Sequence, residues 1–230
     1  MTTIAERLQA ARRRICDAAL SAGRDPDSIQ LLAVSKTKPL ADIYAAYDAG
    51  QRAFGENYVQ EAVDKIAAFK RPDVQWHLIG PLQSNKTRIV AEHFDWVQSL
   101  DRERIAIRLD EQRPAHLNPI QICIQVNVSG ETSKSGLALD QVEKLAQKVD
   151  ELPNLTLRGL MAIPKADDDP DRQRAAFATL RHAYEKLKRQ YETVDTLSMG
   201  MSNDLEAAIM EGATLVRLGT AIFGARQTKG

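Results

Sequence analysis

A chain of 230 residues can bury a substantial core in one large domain or two small ones. Its 31 basic and 31 acidic residues cancel, so no net field points to nucleic acid or an anionic membrane. Two cysteines provide no disulfide framework, and four scattered histidines form no metal-ligand cluster. No secretory core opens the chain and no apolar stretch reaches membrane-spanning length, so a soluble, cytoplasmic, metal-free protein is expected.

An amphipathic helix is predicted over residues 3–22, after which short apolar runs alternate with helical stretches. Strands are predicted at 29–36, 53–57, 75–80, 96–100, 120–128, 156–163, 196–200 and 215–219. Helices are predicted at 40–49, 58–69, 85–93, 102–112, 139–151, 172–190 and 205–211. Strands separated by helices argue for βαβ units and a parallel sheet. No Pro/Gly/Ser-rich linker divides the chain, so one domain spanning 1–230 is expected. Eight units in this length fit a closed (β/α)₈ TIM barrel with an extra amino-terminal helix better than an open sheet.

In such a barrel the carboxyl ends of the strands form one rim, where variable loops carry function without disturbing the scaffold. Lys36 ends the first strand, on the face of Gln30, Leu32 and Val34. A lysine amine held there, partly desolvated, is a usable nucleophile toward a carbonyl; the alternative is a plain strand-end lysine. Asn57 could bond a bound ring or cap the next helix. His77 could hold a substrate group or be a satisfied interior histidine. In the fifth strand Ile120, Ile122, Ile124, Val126 and Val128 alternate with Gln121, Cys123, Gln125, Asn127 and Ser129, which suits a polar interior. Lys134, in a polar loop, could meet an anion or be solvated.

The last two strands suggest a phosphate turn. Ser198, Met199, Gly200 and Ser202 supply a hydroxyl-bearing loop, with Asn203 as a candidate cap for a helix containing Glu206. Gly219 would let backbone approach a ligand, and Thr220 could begin a helical turn with outward amides. Arg217 would point inward beside it, either toward a ligand or paired with a barrel carboxylate. With Lys36 on the first strand, a phosphate-bearing aldehyde is the sharper idea, and a cofactor-free Schiff-base aldolase also satisfies it.

Six segments now carry a resemblance. They are Ala33-Val34-Ser35-Lys36-Thr37-Lys38-Pro39, Phe54-Gly55-Glu56-Asn57-Tyr58-Val59-Gln60-Glu61, Trp76-His77-Leu78-Ile79-Gly80-Pro81-Leu82-Gln83-Ser84-Asn85-Lys86, Arg158-Gly159-Leu160-Met161, Leu197-Ser198-Met199-Gly200-Met201-Ser202 and Val216-Arg217-Leu218-Gly219-Thr220-Ala221-Ile222-Phe223-Gly224. In order and across the chain, they resemble the bacterial branch of the pyridoxal phosphate homeostasis protein family. That family is similar to the barrel domain of alanine racemase, a fold-type III pyridoxal phosphate protein. The resemblance implies that Lys36 forms a Schiff base with pyridoxal 5′-phosphate. It further implies that Ser198, Gly219 and Thr220 hold the phosphate, with Met199, Gly200 and Ser202 in the same turn. Arg217 would face the pyridine nitrogen, which a neighbouring cation keeps unprotonated. Asn57 would lie near the ring, with Lys38, His77 and Lys134 nearby. The family is associated with vitamin B6 and amino-acid balance rather than an established reaction, and its members are thought to be monomers or weak dimers.

A two-base racemase also needs a tyrosine presented from an additional domain. Here Tyr44, Tyr47, Tyr58, Tyr184 and Tyr191 all fall in predicted helices, and the eighth unit ends near Arg226. The expected role is therefore a carrier or buffer of the cofactor, exchanging it with apo-enzymes, and not a catalyst. An amino-acid racemase or lyase is the alternative.

Overall fold

The computed structural model describes residues 2–129 and 135–225. Among them, eight parallel strands close into a barrel in sequence order. They are β1 (Gln30–Val34), β2 (Ala53–Glu56), β3 (Gln75–Leu78), β4 (Trp96–Leu100), β5 (Ile120–Gln125), β6 (Leu155–Met161), β7 (Thr196–Ser198) and β8 (Leu215–Leu218). The barrel closes by pairing β8 to β1, with Leu32 opposite Arg217 and Ala33 opposite Leu218. This is the (β/α)₈ fold expected from the alternation of strand and helix patterns.

The intervening helices are α2 (Leu40–Asp48), α3 (Val59–Ala68), α4 (Thr87–His93), α5 (Glu103–Gln112), α6 (Val142–Asp150), α7 (Pro170–Lys188) and α8 (Leu205–Met210), and a short α9 (Thr220–Phe223) follows β8. They bury the outward residues of the strands, Leu31, Ala33, Phe54, Leu78, Val97, Ile120, Ile122 and Ile124 among them, in one continuous apolar layer. Each fully buried side chain of that kind contributes roughly 1.5–3 kcal/mol. The barrel interior is different. It holds two small apolar groups, Leu32–Ala53–Ile79–Leu215 and Trp96–Cys123–Met161. Between them lie the buried polar residues His77, Gln98, Ser198 and Arg217.

The extra helix α1 (Ile4–Ser21) starts on a capping box, with Thr3 and Glu6 bonding each other's backbone amides. It packs Leu8, Ala11, Ile15, Ala18 and Ala19 against α2, α8 and α9. That placement covers the seam where β8 meets β1, the strand leading to Lys36. At the amino-terminal end of the barrel, Arg158 pairs with Asp195 and lies 5.1 Å above the Trp96 ring.

Seven of the eight strands end one to three residues earlier than predicted, which leaves Lys36, Asn57, Gly200 and Gly219 in the loops that follow. The helix predicted from residue 85 begins with a one-turn helix at Ser84–Lys86, and the one from 139 with another at Leu139–Gln141.

Candidate functional site

Lys36 lies two residues beyond β1, in a turn rather than on the strand. Both of its neighbours are held. Ser35 is fully buried, and its hydroxyl donates to Glu56 Oε1 at 2.6 Å. Thr37 has φ +62°, the sole non-glycine residue in the left-handed region among the described residues. That conformation costs roughly 1–2 kcal/mol for an L-residue. Its amide donates to Glu61 Oε1 at 2.6 Å. Lys65 completes the cluster from α3, donating to the Ser35 carbonyl at 2.8 Å, Glu56 Oε1 at 2.9 Å and Glu61 Oε1 at 2.6 Å. Burial pushes the Glu56 carboxyl up, opposed by the Lys65 charge. Lys38 closes the turn from the other side, its ammonium donating to the carbonyls of Phe223, Gly224 and Ala225 at 2.9–3.2 Å. The first βα loop is thereby tied to the carboxyl end of α9.

Below the rim runs a chain of polar side chains drawn from four strands. Arg217 Nη1 donates to Ser198 Oγ at 2.7 Å, and Ser198 donates to Gln98 Oε1 at 2.6 Å. Gln98 Nε2 then lies 2.9 Å from His77 Nδ1, as donor to the imidazole acceptor. The second Arg217 amine donates to the Ala162 carbonyl at 2.8 Å. Every bond points away from the guanidinium, so the chain ends on a neutral imidazole. His77 stacks on Trp96 with centroids 4.9 Å apart. It belongs inside the barrel and not on the rim, and its Nε2 is buried without a partner.

Burial pulls the His77 imidazole down from 6.5 to about 3. The unfolded imidazole therefore takes up a proton below pH 6.5 that the folded one refuses until about pH 3. Stability contributed by the neutral state is complete above that range and is lost on acidification, at about 1.4 kcal/mol per pH unit. Urea unfolding at a series of pH values should show this acid limb. His77→Phe, which keeps the aromatic stack, should flatten it.

Arg217 itself is buried, and burial lowers its guanidinium to about 10. No carboxylate among the described residues forms an ion pair with it, so the barrel-carboxylate alternative fails. Around it, Gly200 has φ +96°, and a Cβ there would meet Ala208 Cβ at 2.5 Å. Glycine is required at this bend. Gly219 packs so closely on β1 that an added Cβ would lie 3.2 Å from the Val34 carbonyl oxygen. Thr220 opens α9, as the sequence suggested.

Other expectations change. Ser198 is fully buried, with its hydroxyl engaged by Gln98 and Arg217. Met199 faces the helical layer, leaving only its backbone to the turn. Ser202 is half-buried in that turn. Asn203 does not cap α8. Asp204 holds the cap position, and its carboxylate accepts from the Met201 amide at 2.6 Å. Asn57 does not cap α3 either, because Tyr58 takes that position without a side-chain bond. The Asn57 Oδ1 is instead buried with no partner. Tyr58 stands in a βα loop and Tyr191 follows α7, so two of the five tyrosines lie outside helices. Lys134, the rest of its loop at 130–134 and Arg226 lie outside the described residues.

Sequence reasoning missed Gln98, Glu56 and Lys65. Only the Glu61–Lys65 spacing carried a local signal, and it reads as an ordinary helical surface pair.

A buried cation with no ion pair among the described residues, a buried amide oxygen lacking a donor, and a lysine on a fixed turn share one end of the barrel. The residues present fit a small ligand with acidic and hydrogen-bonding groups and an aldehyde. Comparison with known proteins decides the family. The family model described as alanine racemase, N-terminal domain, matches residues 7–227. The pyridoxal phosphate homeostasis protein of Escherichia coli K12 is 56% identical over 229 residues, covering 98% of both chains. This chain belongs to the pyridoxal phosphate homeostasis protein family. The Pseudomonas aeruginosa member is 58% identical over 226 residues, covering 98% of this chain and 97% of its own. Among solved structures, PipY of Synechococcus elongatus PCC7942 with PLP bound is 40% identical, with a TM-score of 0.83 over 96% of this chain and 100% of that one.

Proposed function

We propose that this member of the homeostasis family binds pyridoxal 5′-phosphate reversibly and carries or buffers it in the cytoplasm, as one domain, without turning over a substrate. The observation that carries the reading is the PLP-bound structure of PipY, whose whole chain this one matches at 40% identity. The bound group supplies a reactive aldehyde and an electron-withdrawing ring. Lys36 holds the aldehyde carbon as a Schiff base. Arg217 donates toward the ring nitrogen and keeps it unprotonated, which weakens the ring as an electron sink. Gly200, Ser202, Gly219 and Thr220, with the Met199 backbone, surround the phosphate. Ser198 acts through Arg217, which it orients. Asn57 bonds a ring substituent, and His77 anchors the polar chain from beneath.

One observation favours the racemase or lyase alternative: Tyr58, 53% exposed, stands at the rim next to Asn57. Two assays on the purified, loaded protein separate the readings. A carrier reactivates a cofactor-free aminotransferase and converts amino acids far below the roughly 10 s⁻¹ of an ordinary enzyme. Turnover near that rate, lost in Tyr58→Phe, would establish the enzyme.

A further inference from the structure

We propose that Lys65, bridging Glu56 and Glu61, is the positioning residue for Lys36: it fixes the backbone on either side of the reactive lysine. The inference rests on the cofactor reading above. It adds residues that lie on α3 and β2, outside the ligand's own contacts.

The geometry is specific to that turn. Lys65 bonds the carbonyl of Ser35, the residue before Lys36, at 2.8 Å. It also bonds Glu61 Oε1, the same oxygen that receives the amide of Thr37, the residue after Lys36. Glu56 takes the Ser35 hydroxyl and the Lys65 ammonium on one oxygen, while its other oxygen is buried without a partner. Three charged groups thus converge on residues 35 and 37. Stability alone does not account for them. A buried ion pair is weak evidence of stabilisation, since apolar side chains of similar volume would join α3 to β2 as well. An apolar substitute would not hold a threonine in the left-handed region, a conformation that persists only where its surroundings over-determine it.

The direction of Lys36 matters for the step it performs. Its Nζ adds to the aldehyde carbon, and the carbonyl oxygen departs as water after proton transfer. Attack needs the amine aligned on the carbonyl, and misplacement by about 1 Å costs up to about 100-fold. The residues proposed for the phosphate follow β7 and β8, outside this turn.

Two ligands distinguish positioning from general damage. Pyridoxal 5′-phosphate reports on both attack and fit, whereas pyridoxine 5′-phosphate has the same ring and phosphate with an alcohol in place of the aldehyde. Lys65→Met is expected to slow appearance of the Schiff-base absorbance about 10- to 100-fold. Its affinity for pyridoxine 5′-phosphate should be unchanged. Lys65→Arg should restore part of the rate. Glu61→Ala, at a half-buried position where alanine suits the helix, should slow attack in the same way if Lys65→Met fails to fold. Wild-type rates in Lys65→Met or Glu61→Ala would overturn the inference, as would parallel losses for both ligands. If the unaltered protein bound neither ligand, the cofactor reading itself would fail, a result distinct from either.

Discussion

Replacing Lys36 with alanine is expected to abolish the visible absorption band of the loaded protein while leaving the cofactor-free fold intact. Lys36 is half-buried on a turn outside the apolar layer, so truncation creates no core cavity. A single truncation of that kind outside the core costs about 1 kcal/mol, too little to unfold the barrel. The neighbouring amine cannot take over, because Lys38 is held by three carbonyls at 2.9–3.2 Å. The variant should still bind pyridoxal 5′-phosphate through ring and phosphate, but release it on dialysis. Absorbance before and after dialysis, with thermal unfolding of the cofactor-free protein, checks both halves.

The second large effect concerns Arg217, where binding and stability should separate. Burial lowers its guanidinium from 12.5 to about 10 against the opposing pull of the Asp204 carboxylate, a net cost of about 3 kcal/mol. Its bonds to Ser198 and the Ala162 carbonyl, roughly 1.5–3 kcal/mol each for a charged donor, offset that cost. Arg217→Met removes the desolvation cost and the bonds together but strands the Ala162 carbonyl, so the stability of the cofactor-free protein should fall by only about 1–3 kcal/mol. Loss of the charged hydrogen bond to the ring should weaken cofactor binding about 10- to 100-fold. An arginine with a purely structural role would give the reverse: marked destabilisation with little change in affinity. Urea unfolding and cofactor titration of the same variant decide between them.

The barrel was legible because its helix-facing residues repeat on strand and helix periods, as in the isoleucines of β5. The strand ends were not. The Ser35 amide still bonds the Gly55 carbonyl at 2.9 Å, so nothing local in the run 29–36 marks its end, and only tertiary pairing shows that β1 stops at Val34. Lys36, Arg217, Gly200 and Gly219 stood out as candidates because each combines an unusual residue type with a strand end. Gln98 was not, since its partner Ser198 is 100 residues away and nothing local marks the pair. Glu56 and Lys65 gave no warning either, because a carboxylate in a strand and a lysine in a helix look solvated until packing buries them. Asn203 and Asn57 both looked like helix caps. The chain placed Asp204 and Tyr58 there, leaving the Asn57 amide oxygen turned inward without a partner.

The central claim is that Lys36 carries the cofactor. Borohydride reduction of the loaded protein, followed by peptide mass mapping, tests it most directly. The expected result is one stable adduct, on the peptide containing Lys36, in close to one copy per chain. An adduct on Lys38, Lys65 or another lysine with Lys36 unmodified, or no adduct from a protein that still retains the cofactor, would contradict it.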